Sequence, residues 1–164
     1  MKSAKRIGAG CILTAFFIDQ TTKAAAITYS IALADGIPIM PGFNLIFLRN
    51  NGVSFGMLGG VPWWVLSGLA LGITVWLAVL LVRTGSHLDA AAYGLVIGGA
   101  LGNTADRLRF GAVTDFLDFY VGDWHWPAFN LADVAVVGGV GLLLLSEVWQ
   151  ARLSRRHKGR ADRG

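Results

Sequence analysis

The residues of this chain best placed to do chemistry are aspartates. VTDFLDFY, residues 113–120, sets Asp115 among apolar neighbours, a poor place for a free carboxylate; an acid exposed on a turn would fit the same string. FNLAD, residues 129–133, opens a hydrophobic run in which Asn130 can cap a helix with Asp133 at its third position, close to a capping box. Capping alone would account for both. In GGALGNTADR, residues 98–107, Asn103, Asp106 and Arg107 fall at i, i+3 and i+4 on one helical face. Asp106 and Arg107 there either pair with neighbours where the helix leaves its surroundings or serve a site. Asp19 and Lys23 are four apart, acid first, and read equally as a structural ion pair or as supports for a polar site at the same depth. Capping and pairing leave one thing unexplained, which is why so many acids gather beside amides and a guanidinium. Two aspartates sharing one proton, one activating water and the other protonating a carbonyl, hydrolyse a peptide bond without a cofactor.

The elements that must position these groups follow from composition. Of 164 residues, 54% are apolar and 15% charged, against about 25% charged in ordinary soluble domains. The 22 residues from Val61 to Val82 would cross a ~30 Å hydrocarbon core at about 1.5 Å per residue. Four such spans are expected, at about 7–28, 61–82, 90–107 and 131–150, within a single integral membrane domain over residues 1–164. Pro62 is tolerable in the first turn of the second span. The glycines Gly98, Gly99 and Gly102 let another helix approach closely. Met-Lys-Ser-Ala-Lys-Arg followed by Gly8-Ala9-Gly10-Cys11 imitates a signal peptide with a lipidation box. Only Ile7 separates Arg6 from that box, too little for a cleaved signal's apolar region, so a retained first helix is expected. Cys11 is the single cysteine, which excludes an internal disulfide and any multi-cysteine metal site.

Ten of the fourteen basic residues flank the spans on one side: Lys2, Lys5 and Arg6, then Arg83, then the six after span four. That side is cytoplasmic by the positive-inside rule, and both termini share it. Seven of the ten acids then belong to the outer half, where the segments at about 29–60 and 108–130 lie. Residues 37–58 mix Phe, Ile and Val with Pro and Gly turn signals and predict a few short strands against the membrane surface. Tyr120, Trp124 and Trp126 suit a headgroup interface. The basic tail after Ser154 is expected to be solvated or to rest on anionic lipid. The net charge of +4 comes from the chain ends and offers no basic groove, so no nucleic acid is expected.

This sidedness tests the other chemistries. His87 and His157 fall on the cytoplasmic side, leaving only His125 for an outer serine such as Ser54, with no supporting motif. No HExxH or Asp-rich repeat suggests a metal site. A proton-coupled carrier would usually carry repeat symmetry, and none is visible. A purely structural membrane subunit explains the glycines but not the polar cluster.

The ordered motifs DQTTK (19–23), RNNG (49–52) with Phe55 after it, GGALGNTADR (98–107), VTDF (113–116) and FNLAD (129–133) resemble those of the lipoprotein signal peptidases, the signal peptidase II family of bacterial membrane aspartic proteases. The resemblance covers all four spans. It implies catalytic roles for Asp115 and Asp133 and substrate contacts for Asn50, Asn103, Arg107 and Asn130. Asp19, Lys23, Gly52 and Asp106 match positions that support the site. It further implies an all-α membrane protein of four transmembrane helices with a small extracytoplasmic β-cradle and a periplasmic loop or helix. The implied substrate is a prolipoprotein whose cysteine carries diacylglycerol, cut on the amino side of that cysteine. The expected partners are that substrate and membrane lipid, with no cofactor and no metal, in a monomer of the bacterial inner membrane whose site lies near the outer leaflet.

Overall fold

A computed structural model of the protein describes residues 2–52 and 61–161. Phe55 and Ser54 lie outside the described residues, as do the side chains of the basic tail. Eight elements follow in order: helix α1 (Lys2–Thr28), strands β1 (Ile37–Met40) and β2 (Phe43–Asn50), helices α2 (Trp63–Arg83) and α3 (His87–Phe110), strands β3 (Val113–Val121) and β4 (Trp124–His125), and helix α4 (Leu131–Ala161). Among the described residues, two helices are long and apolar enough to cross a membrane, α2 with a mean hydropathy of 2.5 and the 131–149 stretch of α4 with 1.9.

Thr28 closes α1 and Leu131 opens α4 where expected and α2 lies within two residues of expectation, while α1 starts earlier, α3 is longer at both ends and α4 runs further. α3 begins at Ser86, whose hydroxyl accepts from the Asp89 N–H, and runs on to Phe110. It stops because Gly111 takes a left-handed conformation (φ +69°), and its N–H closes back on the Arg107 carbonyl. α4 passes the expected end at 150 and continues to Ala161, as a run rich in Ala, Leu, Arg and Lys can.

α3 is the hub, packed on α1, α2 and α4. Small residues allow it: a Cβ on Gly98 would stand 2.7 Å from the Ile12 carbonyl oxygen of α1, so the two backbones touch. At one end of the bundle, Ala4, Leu77, Leu81, Ala90, Val96 and Ile97 form a buried apolar cluster.

The other end carries a four-stranded antiparallel sheet in the order β1-β2-β3-β4. The chain is mostly helical with a small sheet, and β1 and β2 fall within the 37–58 segment expected to form short strands. The 108–130 segment, expected as a loop or helix, contains two strands and, past Phe110, no helix among the described residues. VTDFLDFYV is a β-branched and aromatic run, suited to a strand covered on both faces, and Val113 to Phe116 are all buried. Phe116 packs on Ala26 and Leu33, with Leu45 and Phe47 against them. Pairing places Leu48 opposite Asp115 and Asn50 opposite Val113, so Asn50 and Asp115 share one face of the sheet. Arg49 and Thr114 share the other, where the guanidinium donates to the Thr114 hydroxyl at 2.7 Å. A bulge between Leu45 and Leu48 shifts the register.

Towards the β3–β4 turn, Val121 pairs with Trp124 and Tyr120 with His125. Tyr120 stacks on His125, which meets Asp118 at 2.8 Å, and Tyr120, Trp124 and Trp126 line one cavity with Phe119 and Val121.

Candidate active site

Asp115 comes from the middle of β3 and Asp133 from the first turn of α4, yet both line one cavity of about 440 Å³. Its polar end also holds Asn50, Gly52, Asn103 and Arg107, and its apolar walls are Leu69, Ala70 and Ile73 of α2 with Val136 and Val137 of α4. Asp115 is 1% exposed, so it is no turn acid.

Each aspartate is held by asparagine amides. Asn50 donates to Asp115 Oδ2 at 2.9 Å and Asn130 to Asp115 Oδ1 at 2.6 Å. Asn103 donates to Asp133 Oδ1 at 2.8 Å. The direction of every amide is set by a second donor on its oxygen. The Gly52 N–H holds Asn50 Oδ1 at 2.9 Å, the Asp133 N–H holds Asn130 Oδ1 at 3.1 Å, and Lys23 holds Asn103 Oδ1 at 2.7 Å. With its oxygen so engaged, each asparagine can turn only its N–H groups to a carboxylate.

The capping box read from FNLAD is present in full. Asn130 accepts from the Asp133 N–H, and Asp133 Oδ2 accepts from the Asn130 N–H at 3.2 Å. Capping and site geometry are thus one arrangement, because Asp133 Oδ1 remains turned to Asn103. Asn130, for which the resemblance implies a substrate contact, is fully buried. In this arrangement it meets the site through the two aspartates, Asp115 and Asp133.

Beneath the pair lies an ionic layer. Lys23 meets Asp19 at 3.0 Å and Asp106 at 3.6 Å, all three essentially without solvent exposure. Buried charges persist only when paired and hydrogen-bonded, and each acid here has a further donor. Asp19 accepts the Ala132 N–H at 2.9 Å, anchoring the start of α4 on α1, and Asp106 accepts the Thr114 N–H at 2.8 Å, anchoring the start of β3 on α3. Asp19 and Lys23 therefore form the ion pair expected from spacing and also support the polar site. Gly102 is required beside them, since a Cβ there would collide with the Asp19 carboxylate. Arg107 donates to the Gly52 carbonyl at 3.2 Å and borders the cavity.

Burial is the largest influence on Asp115 and pushes its carboxyl up from 3.8 to about 6. The neighbouring Asp133 adds to the rise, while the Asn50 and Asn130 amides and the Lys23 charge oppose it without cancelling it.

Sequence reasoning missed two participants. Gln20 donates to Asp19 and to the Gly102 carbonyl and accepts from Arg109, and Thr114 joins Arg49 to Asp106. Both lie inside motifs already singled out, adjacent to the acids that drew attention.

Two membrane-length helices, a small sheet over one end and a cavity lined by buried Asp115 and half-buried Asp133 fit the class of membrane enzymes. The backbone agrees with two bacterial membrane enzymes solved by the in meso method. One, at 2.3 Å resolution, gives a TM-score of 0.75 at 26% identity over 92% of this chain and 90% of that one. The other, at 1.9 Å, gives 0.70 at 27% identity over 89% and 92%. The chain belongs to the signal peptidase (SPase) II family, whose model matches residues 11–149. It is 42% identical over 150 residues to the lipoprotein signal peptidase of Escherichia coli (strain K12 / DH10B), covering 88% of this chain and 91% of that one. To the lipoprotein signal peptidase of Shigella flexneri it is 45% identical over 139 residues, covering 82% and 84%.

Proposed function

We propose that this chain is the aspartic endopeptidase that removes signal peptides from diacylglyceryl-modified prolipoproteins, cutting on the amino side of the lipidated cysteine, with Asp115 and Asp133 as its catalytic pair. The observation that carries the reading is the convergence of two aspartates, from different elements, on one cavity where asparagine N–H groups orient both. Asp115, raised to about 6, holds the shared proton. Asp133 takes a proton from water as the water oxygen bonds to the scissile carbonyl carbon, and Asp115 gives its proton to the carbonyl oxygen. Collapse of the tetrahedral diol breaks the C–N bond. The amine of the cysteine leaves with the proton from Asp133, and Asp115 regains one from the diol. Asn50, Asn103 and Arg107 border this cavity and contact the extended substrate backbone, whereas buried Asn130 acts on the substrate through the aspartates it holds.

The same reading takes α1 and α3 as spans alongside α2 and α4. Their 27 and 24 residues reach about 40 and 36 Å at 1.5 Å per residue, enough for a ~30 Å core. Four spans with basic flanks on one side give a monomeric, multi-pass protein of the bacterial inner membrane, a single domain with both termini cytoplasmic and the pair near the outer leaflet. Two acyl chains in the bilayer would hold the cysteine at the depth of that pair, so orientation by the membrane replaces much of the binding a soluble protease must build from pockets.

The test incubates the purified protein in detergent with one precursor in lipidated and unlipidated form. Wild type should cleave the lipidated form far faster, and Asp115→Asn and Asp133→Asn should cleave neither while remaining folded. Equal rates on both forms would remove lipid recognition from the reading, and turnover by either variant would remove the pair.

A further inference from the structure

Ten of the fourteen basic residues flank the spans on the inner side, and Lys23 and Arg107 belong to the candidate site. Arg49 and Arg109 remain, on the outer side, which the positive-inside rule leaves poor in cations. Both stand at the outer end of α3. Asp106, Arg109 and Phe110 fall at i, i+3 and i+4 on one face of that helix. The half-buried Arg49 guanidinium lies over the Phe110 ring, 4.0 Å from its centroid, with the Phe47 ring at 5.4 Å. Exposed Arg109 reaches across to Gln20 of α1, donating at 2.9 Å. Among the described residues neither guanidinium has a carboxylate within 4.0 Å. Arg49 makes one hydrogen bond there, to Thr114, and Arg109 one, to Gln20, so most of their N–H donors stay open.

We infer that Arg49 and Arg109 form a site for the phosphodiester of an anionic phospholipid in the outer leaflet, separate from the catalytic cavity. The inference rests on the membrane orientation proposed above and not on the proteolytic chemistry. Arg49 lies on the sheet face opposite Asn50 and Asp115, and neither arginine lines the catalytic cavity. The C-terminus of α3 attracts a cation, but that leaves two forks of N–H donors unmatched, and a guanidinium fork fits the oxygens of a phosphate. Apolar surface for the lipid tails lies just below. Leu13, Phe17 and Gln20 fall at i, i+4 and i+7 on one face of α1, and Leu13 and Phe17 are exposed, as are Leu108 and Phe110 of α3. Gln20, at the top of that stripe, is the residue that holds Arg109. It stands about 10 Å above Leu13 at 1.5 Å per residue, so an acyl chain lying along the stripe brings its phosphate to the arginines. A headgroup of net negative charge suits two cations, whereas choline or ethanolamine would set a third beside them. Arg49 is joined through Thr114 to Asp106, and Arg109 through Gln20 to Asp19. The bound phosphate therefore braces β2, α1 and α3 around the ionic layer.

The test follows Tm of the full chain in a neutral detergent while dioleoyl phosphatidylglycerol, dioleoyl phosphatidylcholine or inorganic phosphate is added at matched concentrations. Phosphatidylglycerol should raise Tm by binding the folded state, and the other two should leave it unchanged. Arg49→Gln and Arg109→Gln should each weaken phosphatidylglycerol by about fivefold, the electrostatic scale of one basic residue at an anionic surface. An equal rise with phosphatidylcholine or with inorganic phosphate overturns the site, as does a rise that Arg109→Gln leaves intact. Arg109 is exposed, so that variant is readable even where Arg49→Gln does not fold. A second measurement places the lipid on the wild type: phosphatidylglycerol carrying a diazirine high on one acyl chain should, on irradiation, label residues 13–20 and 108–110. Label confined to α2 and α4 overturns the assignment. Wild type that binds phosphatidylglycerol in this way and cleaves no lipidated precursor overturns the proteolytic reading and leaves this site standing, and cleavage without any preference for phosphatidylglycerol does the reverse.

Discussion

Asp115→Asn should do two opposite things, removing activity and changing stability in a pH-dependent way. The carboxyl moves from 3.8 to about 6 on folding, and at 1.36 kcal/mol per pKa unit this is about 3 kcal/mol. The folded state holds the proton more tightly than the unfolded one. Stability from this group is therefore full below about pH 4, is lost as pH rises towards 6, and stays lost above. Asparagine at 115 never ionises and escapes that loss. It also brings a fault, because its own N–H group must face either Asn50 or Asn130, whose oxygens are already held by Gly52 and by Asp133. One buried donor left unmatched costs about 1–3 kcal/mol. That cost is the same at every pH, so the difference between variant and wild type should still grow by most of about 3 kcal/mol between pH 4 and pH 7.5. At roughly 2–4 °C per kcal/mol for a chain of this size, the variant should gain about 6–12 °C in Tm relative to wild type across that range. Intrinsic fluorescence of the six tryptophans follows unfolding in detergent at each pH. A Tm difference that does not change with pH would refute the argument that burial dominates at Asp115.

Lys23→Met should be damaging twice over: it leaves Asp19 and Asp106 buried without their cation, a loss of about 3–5 kcal/mol, and it frees the Asn103 amide, so kcat at saturating substrate should fall about 100-fold in whatever fraction stays folded; a normal kcat would mean that the orientation of Asn103 is immaterial. Gly102→Ala should lower Tm by the equivalent of about 1–3 kcal/mol, the usual penalty for overpacking, because the Asp19 carboxylate must move. Gly68→Ala, in open space on α2, should be neutral or stabilising by up to about 1 kcal/mol, and equal effects at the two positions would remove the special role of Gly102. Excess EDTA should leave the cleavage rate unchanged, since carboxyls and water suffice; loss of activity restored by one divalent ion would replace the aspartate mechanism with a metal-dependent one.

Much of this protein is legible in its amino-acid order because the relevant signals are local. The apolar run after Val61 determines a membrane-length helix, the four-residue spacing of Asp19 and Lys23 determines their pairing, and FNLAD determines its own capping box. Each depends on backbone periodicity within a few residues. Tertiary structure decided the rest. VTDFLDFYV leaves Asp115 readable as an exposed acid until β2 pairs with it and Phe116 finds Ala26 and Leu33, and only then is Asp115 buried and its carboxyl raised. Above all, the direction of each site amide depends on a donor at its oxygen, and for Asn103 that donor is Lys23, eighty residues earlier in the chain. A hydrogen-bond direction is a property of three groups meeting in space, and only packing α1 on α3 brings the third one there.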